Sequence, residues 1–271
     1  MAYSVVCKGM TKTKSALVLS GGGALGMAHI GALKSLEPNY QFDFLAGVSA
    51  GSIVAAGIAC GMNAAQIEYA IDQTDLFDLS FDVSWKNTWL IAGDSIHDIL
   101  DKIYGGRTFA DLNVPLFIGA TDFSTGQRVT ISEGYIADAV RASLAIPVIF
   151  EPYYHQAREQ FLVDGGLSQN FPLDLAIKNY SGESIIGIDV ANLKPLADDF
   201  HTEKFFGRNQ DLFKNIQRTF RIFFQNQQNH FPQDDRVRLI EPDLTEFSSA
   251  TLSRKKFAQI MEIGEQAALN L

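Results

Sequence analysis

Residues 42–51 read FDFLAGVSAG, and this stretch decides how the chain is expected to fold. Its first half is a short apolar run typical of a buried strand, and its second half is a glycine-flanked turn. An Ala-rich stretch follows as far as Cys60 and predicts a helix. A strand, a sharp glycine turn and a helix in direct succession are the building unit of α/β proteins.

The same order occurs upstream, where residues 16–26 read ALVLSGGGALG and a helix is predicted from Ala24 to Leu36, closed by Pro38. Other patterns predict strands at residues 114–120, 127–131, 161–163, 184–190 and 237–240, and helices at 135–144, 172–178 and 253–269. Strands that alternate with helices predict an α/β fold with a largely parallel central sheet flanked by helices. We expect this region to span residues 10–192, and residues 193–271 to form a mostly helical elaboration packed on the same domain.

Composition narrows the function classes. The formal net charge of −9 argues against nucleic-acid binding, which needs clustered Lys and Arg. Cys7 and Cys60 are too few for a disulfide scaffold, and a reducing compartment fits this count. The first 14 residues contain no signal-peptide core, and no apolar run reaches the length of a membrane span. We therefore predict a soluble cytoplasmic protein with at most peripheral membrane contact; the sequence gives no indication of its oligomeric state.

Ser49 is the candidate nucleophile, because residues 47–51 read GVSAG and match G-x-S-x-G. In that motif a tight strand-to-helix turn exposes the serine hydroxyl, and Gly47 and Gly51 allow neighbouring backbone to approach closely. The helix after the turn directs its N–H groups toward the serine. The alternative is a structural helix N-cap serine.

The glycine loop after the first strand has two interpretations. Its G-x-G-x-x-G pattern, which ends at Gly26, matches a dinucleotide-binding turn, but that turn needs an acidic residue at the end of the second strand. Asp43 precedes the apolar run instead. We favour an oxyanion hole, in which unobstructed N–H groups of consecutive glycines stabilise a tetrahedral intermediate. The predicted oxyanion-hole residues are Gly21, Gly22 and Gly23.

A serine nucleophile needs a base to accept its proton. None of the five histidines has a motif around it, and they are His29, His97, His155, His201 and His230. Asp164 directly follows an apolar strand and precedes Gly165 and Gly166, which leave the carboxylate uncrowded. Burial would raise the pKa of this carboxyl group, whereas N–H groups of the turn would lower it.

Together the three motifs resemble the patatin-like phospholipase family, and residues 142–147 and 150–152 resemble further segments of it. The resemblance covers about residues 16–190 and implies a three-layer α/β fold with a Ser–Asp dyad. It implies that Ser49 attacks a lipid acyl ester, that Asp164 accepts its proton, and that no metal or organic cofactor takes part. This chain has Leu25 where the family commonly has Arg or Lys, a difference that bears on head-group preference.

Two alternatives stay open at this point. The same acyl-enzyme can transfer its acyl group to an alcohol or thiol instead of water, and a non-catalytic lipid-binding protein can keep the same fold. Two segments are candidates for an interfacial surface or lid, although we favour core packing for both, because large apolar residues usually lie inside a protein. They are Trp85–Ile91 and the Phe-rich residues 205–224 with their Lys and Arg neighbours.

Overall fold

The computed structural model describes residues 11–74, 93–191, 233–249, 253–269 and 271, together with Thr219, Ile222, Phe223 and Gln227. The candidate interfacial residues Trp85–Ile91 lie outside these ranges, as does most of the Phe-rich segment. Phe223 is described and is 42% exposed.

The described strands form one sheet in which each strand is hydrogen-bonded to the next along the path β5-β6-β3-β2-β1-β7-β8, and β4 pairs with β3 outside this path. The strands are β1 (Thr13–Leu19), β2 (Tyr40–Val48), β3 (Leu116–Asp122), β4 (Arg128–Ile131), β5 (Tyr153–His155), β6 (Gln160–Asp164), β7 (Ile185–Ile188) and β8 (Val237–Ile240). The five strands β1, β2, β3, β7 and β8 are joined by parallel pairs, so the predicted largely parallel sheet is confirmed. The exceptions are β4 and β6, which run antiparallel to β3, and β5, which runs antiparallel to β6.

Helices cover both faces of this sheet, as predicted. They are α1 (Met27–Leu36), α2 (Ala50–Ala59), α3 (Ala64–Asp72), α4 (Gly93–Tyr104), α5 (Ile136–Ser143), α6 (Gly166–Gln169), α7 (Leu173–Asn179) and α8 (Arg254–Ala268). Within the described residues, no helix is both long and apolar enough to cross a membrane.

The core lies in two layers because successive side chains of a strand point to opposite faces. In β1, Leu17 and Leu19 belong to the larger cluster beneath α1, α2 and α5, whereas Ala16 and Val18 pack toward α7. The described C-terminal residues continue this architecture. The strand β8 extends the sheet beside β7, and α8 packs on α1.

Candidate active site

Ser49 occupies a strained turn between β2 and α2. Its backbone angles are φ 49° and ψ −125°, a conformation that a residue with a side chain rarely adopts. Such strain persists only where surrounding contacts hold it, and it is concentrated at functional sites. Ser49 is 5% exposed, so the hydroxyl lies in a nearly closed environment.

Two buried serines hold this turn from either side. The Ser49 N–H donates to the Ser143 Oγ at 2.8 Å, and the Ser143 hydroxyl donates to the carbonyl oxygen of Gly119 at 2.6 Å. The Ser52 hydroxyl donates to the Ser49 carbonyl oxygen at 2.6 Å. The turn is thereby fastened to the end of α5, to β3 and to the first turn of α2.

Asp164 and Ser49 are brought together by two strands that run in opposite directions along β3. The strand β2 pairs with Leu116–Gly119 of β3, and β6 pairs with Ala120–Asp122. Because β4 occupies the opposite edge of β3 over Ile118–Thr121, β2 and β6 must share one edge. They run in opposite directions, so their carboxyl ends, at Ser49 and Asp164, face each other. The sequence predicted a strand at residues 161–163 within a largely parallel sheet, but not its antiparallel direction.

The Asp164 carboxyl group is buried, with 2% of the residue exposed. Burial raises its pKa to about 6, although the Ser49 side chain and the Gly166 N–H both act to lower the pKa. The Gly166 N–H donates to Oδ1 at 2.7 Å. Among the described residues Oδ2 has no fully formed hydrogen bond, although the Ser49 hydroxyl is near enough to affect the carboxyl group. In enzymes without bound substrate, hydrogen bonds between functional groups are often long and shorten when substrate binds.

The glycine loop lies beside Ser49. A Cβ added to Gly21 would be 3.1 Å from the Ser49 Cβ, and Gly23 has a φ of 57°, which favours glycine. The Gly21 N–H already donates to the Asn170 carbonyl oxygen at 3.0 Å. Among the described residues, no acceptor bonds the N–H groups of Gly22 and Gly23, so these two remain available.

Four other motif glycines lie where backbone or side chains of neighbouring elements approach closely, and they are Gly26, Gly47, Gly51 and Gly165. Gly166 is buried at the start of α6, and its N–H donates to Asp164. A Cβ on Gly47 would be 2.6 Å from the Gly51 carbonyl oxygen, and one on Gly51 would be 2.5 Å from the Ser20 carbonyl oxygen. Leu25 is 1% exposed and belongs to the core. A basic side chain there would face apolar surroundings, which explains why this loop accommodates leucine.

The three described histidines contact residues other than Ser49 and Asp164. The fully buried His29 contacts the Ser20 carbonyl oxygen through Nε2 at 2.8 Å, and burial lowers its pKa to about 4. It is therefore neutral near pH 7 and donates from Nε2. His97 pairs with Asp138 at 2.8 Å, and His155 lies in β5 opposite Gln160. His201 and His230 lie outside the described residues.

The dinucleotide interpretation of the glycine loop gains no support from Asp43. This residue lies inside β2 and accepts a hydrogen bond from the Tyr180 hydroxyl at 2.7 Å. It is therefore absent from the strand end, where a ribose-binding carboxylate is required. Within the described part of the chain, no cluster of three or more His, Cys, Asp or Glu side chains is arranged to hold a metal ion.

Sequence reasoning missed three polar residues that support the site. Ser143 holds the nucleophile turn, Asn170 contacts Gly21, and Gln227 contacts the turn after Asp164. Ser143 lies in a segment already singled out by the family resemblance, and Asn170 follows the Asp-Gly-Gly motif by a few residues. Gln227 carries no signal, because nothing in its neighbourhood links it to the distant motifs.

Comparison with known proteins shows which family this chain resembles. A family model for patatin-like phospholipase matches residues 17–177. The patatin-like phospholipase domain-containing protein 6 of Mus musculus is 29% identical over 196 residues, which are 70% of this chain and 14% of that protein. An uncharacterized NTE family protein of Mycobacterium tuberculosis is 33% identical over 175 residues, which are 62% of this chain and 29% of that protein. The chain thus matches less than a third of either relative's length.

Two solved structures share the fold at low sequence identity. VipD from Legionella pneumophila aligns with a TM-score of 0.64 and 17% identity, over 94% of this chain and 66% of that one. The ExoU–SpcU complex of Pseudomonas aeruginosa gives 0.51 and 17%, over 96% of this chain and 51% of that one. Because the family model also spans more than half of the sequence, the chain belongs to the patatin-like phospholipase family.

Proposed function

We propose that this protein hydrolyses acyl esters of lipids, with Ser49 as nucleophile and Asp164 as base. The observation that carries the proposal is the meeting of the β2 and β6 carboxyl ends at one edge of β3. It brings a strained serine to a buried carboxylate beside two available loop N–H groups. Family membership supports a lipid substrate. The substrate panel described below determines the head group, the acyl-chain length and the position of the ester.

In the acylation step, the Ser49 Oγ attacks the ester carbonyl carbon as its proton passes to Asp164. We assign the proton to Oδ2, because Oδ1 already accepts the Gly166 N–H at 2.7 Å. The carbonyl oxygen becomes an oxyanion that accepts hydrogen bonds from the Gly22 and Gly23 N–H groups. One such donor typically contributes about 3 kcal/mol to stabilising the transition state.

Collapse of the tetrahedral intermediate breaks the bond to the alcohol, which takes the proton from Asp164. Water then attacks the acyl-Ser49 carbonyl carbon and gives its proton to Asp164. A second collapse releases the fatty acid and returns the proton to the Ser49 Oγ. The cycle consumes one water per ester, and Asp164 alternates between base and acid.

Fluorophosphonate labelling is the direct test of the function. We expect the probe to phosphonylate the Ser49 Oγ with loss of fluoride, and mass spectrometry to locate the label there. A panel of p-nitrophenyl esters, lysophospholipids and phospholipids then defines the substrate. If Ser49 stays unlabelled and no ester is cleaved while lipid still binds, the protein is a lipid-binding member of the family. Products that carry the acyl group on an added alcohol would identify an acyltransferase.

The pH dependence of hydrolysis tests the base. Because Asp164 must be ionised to accept a proton and its pKa is about 6, we expect kcat/KM to fall as the pH drops through that value. An ordinary exposed aspartate would give a fall near pH 4. The rate is measured as the amount of fatty acid released. The fatty acid is quantified by chromatography, because the signal of that method does not change with the pH of the reaction. A rate that stays constant down to about pH 4 would contradict the role of Asp164.

A further inference from the structure

We propose that Asn170 is the positioning residue of the oxyanion hole: it holds Gly21 so that the next two N–H groups face the substrate. This inference rests on the proposed function and names the residue that sets the loop conformation. Asn170 follows α6 and is 5% exposed.

Asn170 contacts both polar groups of Gly21. The Gly21 N–H donates to the Asn170 main-chain carbonyl oxygen at 3.0 Å, and the Asn170 Nδ2 donates to the Gly21 carbonyl oxygen at 3.2 Å. The orientation of the side-chain amide follows from chemistry, because a carbonyl oxygen accepts only and the amide nitrogen must face it. With both polar groups occupied, the peptide planes on either side of Gly21 lose their freedom to rotate.

The remaining side-chain atom, Oδ1, packs on the Cα of Gly21. A Cβ on Gly21 would collide with it and would lie 3.1 Å from the Ser49 Cβ. Oδ1 is buried, and none of the described residues donates a hydrogen bond to it. The side-chain amide of Asn170 therefore fills the space next to the Gly21 Cα. Because no room is left for a Cβ there, only glycine fits at this first position of the loop.

Asn170 is also connected, through Gln227, to the turn that follows the proposed base Asp164. Its N–H donates to the Gln227 Oε1 at 2.8 Å, and the Gln227 Nε2 donates to the carbonyl oxygens of Gly166 and Leu167 at 3.0 and 3.2 Å. The Gly166 N–H in turn bonds the Asp164 carboxylate. One short segment thus holds the base at its start and the oxyanion loop at its end, and this fixes the spacing between proton acceptor and oxyanion donors.

Loss of positioning has a kinetic signature different from loss of stability. An oxyanion donor acts on the charge of the transition state, so a displaced donor lowers kcat while KM changes little. A buried hydrogen bond that only stabilises the fold would, when removed, lower the melting temperature and leave the rate of the folded enzyme unchanged.

The test compares Asn170→Ala with Asn179→Ala on a soluble p-nitrophenyl ester. Asn179 is the control for the substitution type: its Nδ2 also donates to a main-chain carbonyl oxygen, that of Leu175 at 2.8 Å, but it is an exposed residue of α7 whose bond stays within that helix. For Asn170→Ala we expect kcat to fall about 10²-fold, KM to stay within about twofold, and the affinity for a boronic acid transition-state analogue to fall in parallel. Asn179→Ala should keep wild-type kcat. Asn170→Ser, whose hydroxyl is too short to reach Gly21, is the second variant if the alanine variant does not fold.

The following results would overturn the role of Asn170 or the proposed function. A kcat within about threefold of wild type in either folded Asn170 variant overturns the inference. A shift in the acid limb of the pH profile also overturns it, because Asn170 would then act through Asp164. If the wild-type protein cleaves no ester at all, the proposed function fails. If wild type is active and Ser49→Ala is not, a normal Asn170→Ala removes this inference alone.

Discussion

Ser49→Ala is expected to lower ester hydrolysis by about 10³-fold or more while the protein still folds. The reason is that the substitution removes the attacking oxygen and its interaction with the Asp164 carboxyl group but leaves the turn in place, because the main-chain bonds to Ser143 and Ser52 do not use the Ser49 side chain. The measurement is kcat/KM on a soluble ester, with circular dichroism and a thermal melt to show that the variant is folded.

Two further variants sharpen the result. Ser35→Ala removes a serine hydroxyl that donates to the Glu265 carbonyl oxygen at 3.0 Å, where α1 meets α8, and it should keep full activity. Ser49→Gly should be as inactive as Ser49→Ala but more stable, because a φ of 49° is unfavourable for a residue with a Cβ and acceptable for glycine. A pure, folded Ser49→Ala protein with more than about a tenth of wild-type turnover would exclude Ser49 as nucleophile.

Local sequence patterns were sufficient to predict the strand–turn–helix units around both glycine motifs. The apolar run before Ser49 forms β2, and the Ala-rich stretch after it forms α2. These predictions succeeded because burial on both faces gives the central strands uninterrupted apolar runs, and glycine marks where backbone must pass close to backbone. The helix predicted from Ala24 begins as a 3₁₀ turn at Gly23–Gly26, because that segment is still part of the loop.

These local patterns could not predict the direction of a strand. Residues 161–163 are apolar in either direction, and only the pairing with β3 shows that β6 is antiparallel. The strand β5 has three residues and was missed for lack of periodicity. These two strands form the antiparallel hairpin that turns Asp164 toward Ser49. The motifs therefore identified residues that the fold brings together, whereas the direction from which Asp164 approaches Ser49 was not predictable from them.

The polar residues that hold the site in place could not be predicted from local patterns either. Three consecutive glycines suggest three equivalent N–H donors, yet the Gly21 N–H is bound to Asn170. Such a bond joins residues far apart in sequence, and no local pattern encodes it. The interfacial surface suggested by Trp85–Ile91 and the Phe-rich segment stays a prediction, because those residues lie almost wholly outside the described ranges.

Asp164→Asn is expected to reduce hydrolysis about as severely as loss of the nucleophile, because an amide cannot accept the Ser49 proton. The shape of the side chain is kept, and its oxygen can still accept the Gly166 N–H. His97→Ala and His155→Ala are the controls, and each should leave substantial activity in folded protein. A folded histidine variant without activity would instead indicate a Ser–His mechanism.

The same substitution should make the protein more stable above about pH 6. Burial raises the Asp164 pKa from 3.8 to about 6, so ionising this group costs about 3 kcal/mol more in the folded protein than in the unfolded chain. Its contribution to wild-type stability is complete below the unfolded value and is lost as the pH rises through the folded one. The amide introduced by Asp164→Asn does not titrate and shows no such loss, so the melting temperature of the variant relative to wild type should be higher at about pH 8 than at about pH 4. A difference that is independent of pH would mean that Asp164 ionises as freely in the folded protein as in water, and would remove the electrostatic basis for its role as the base.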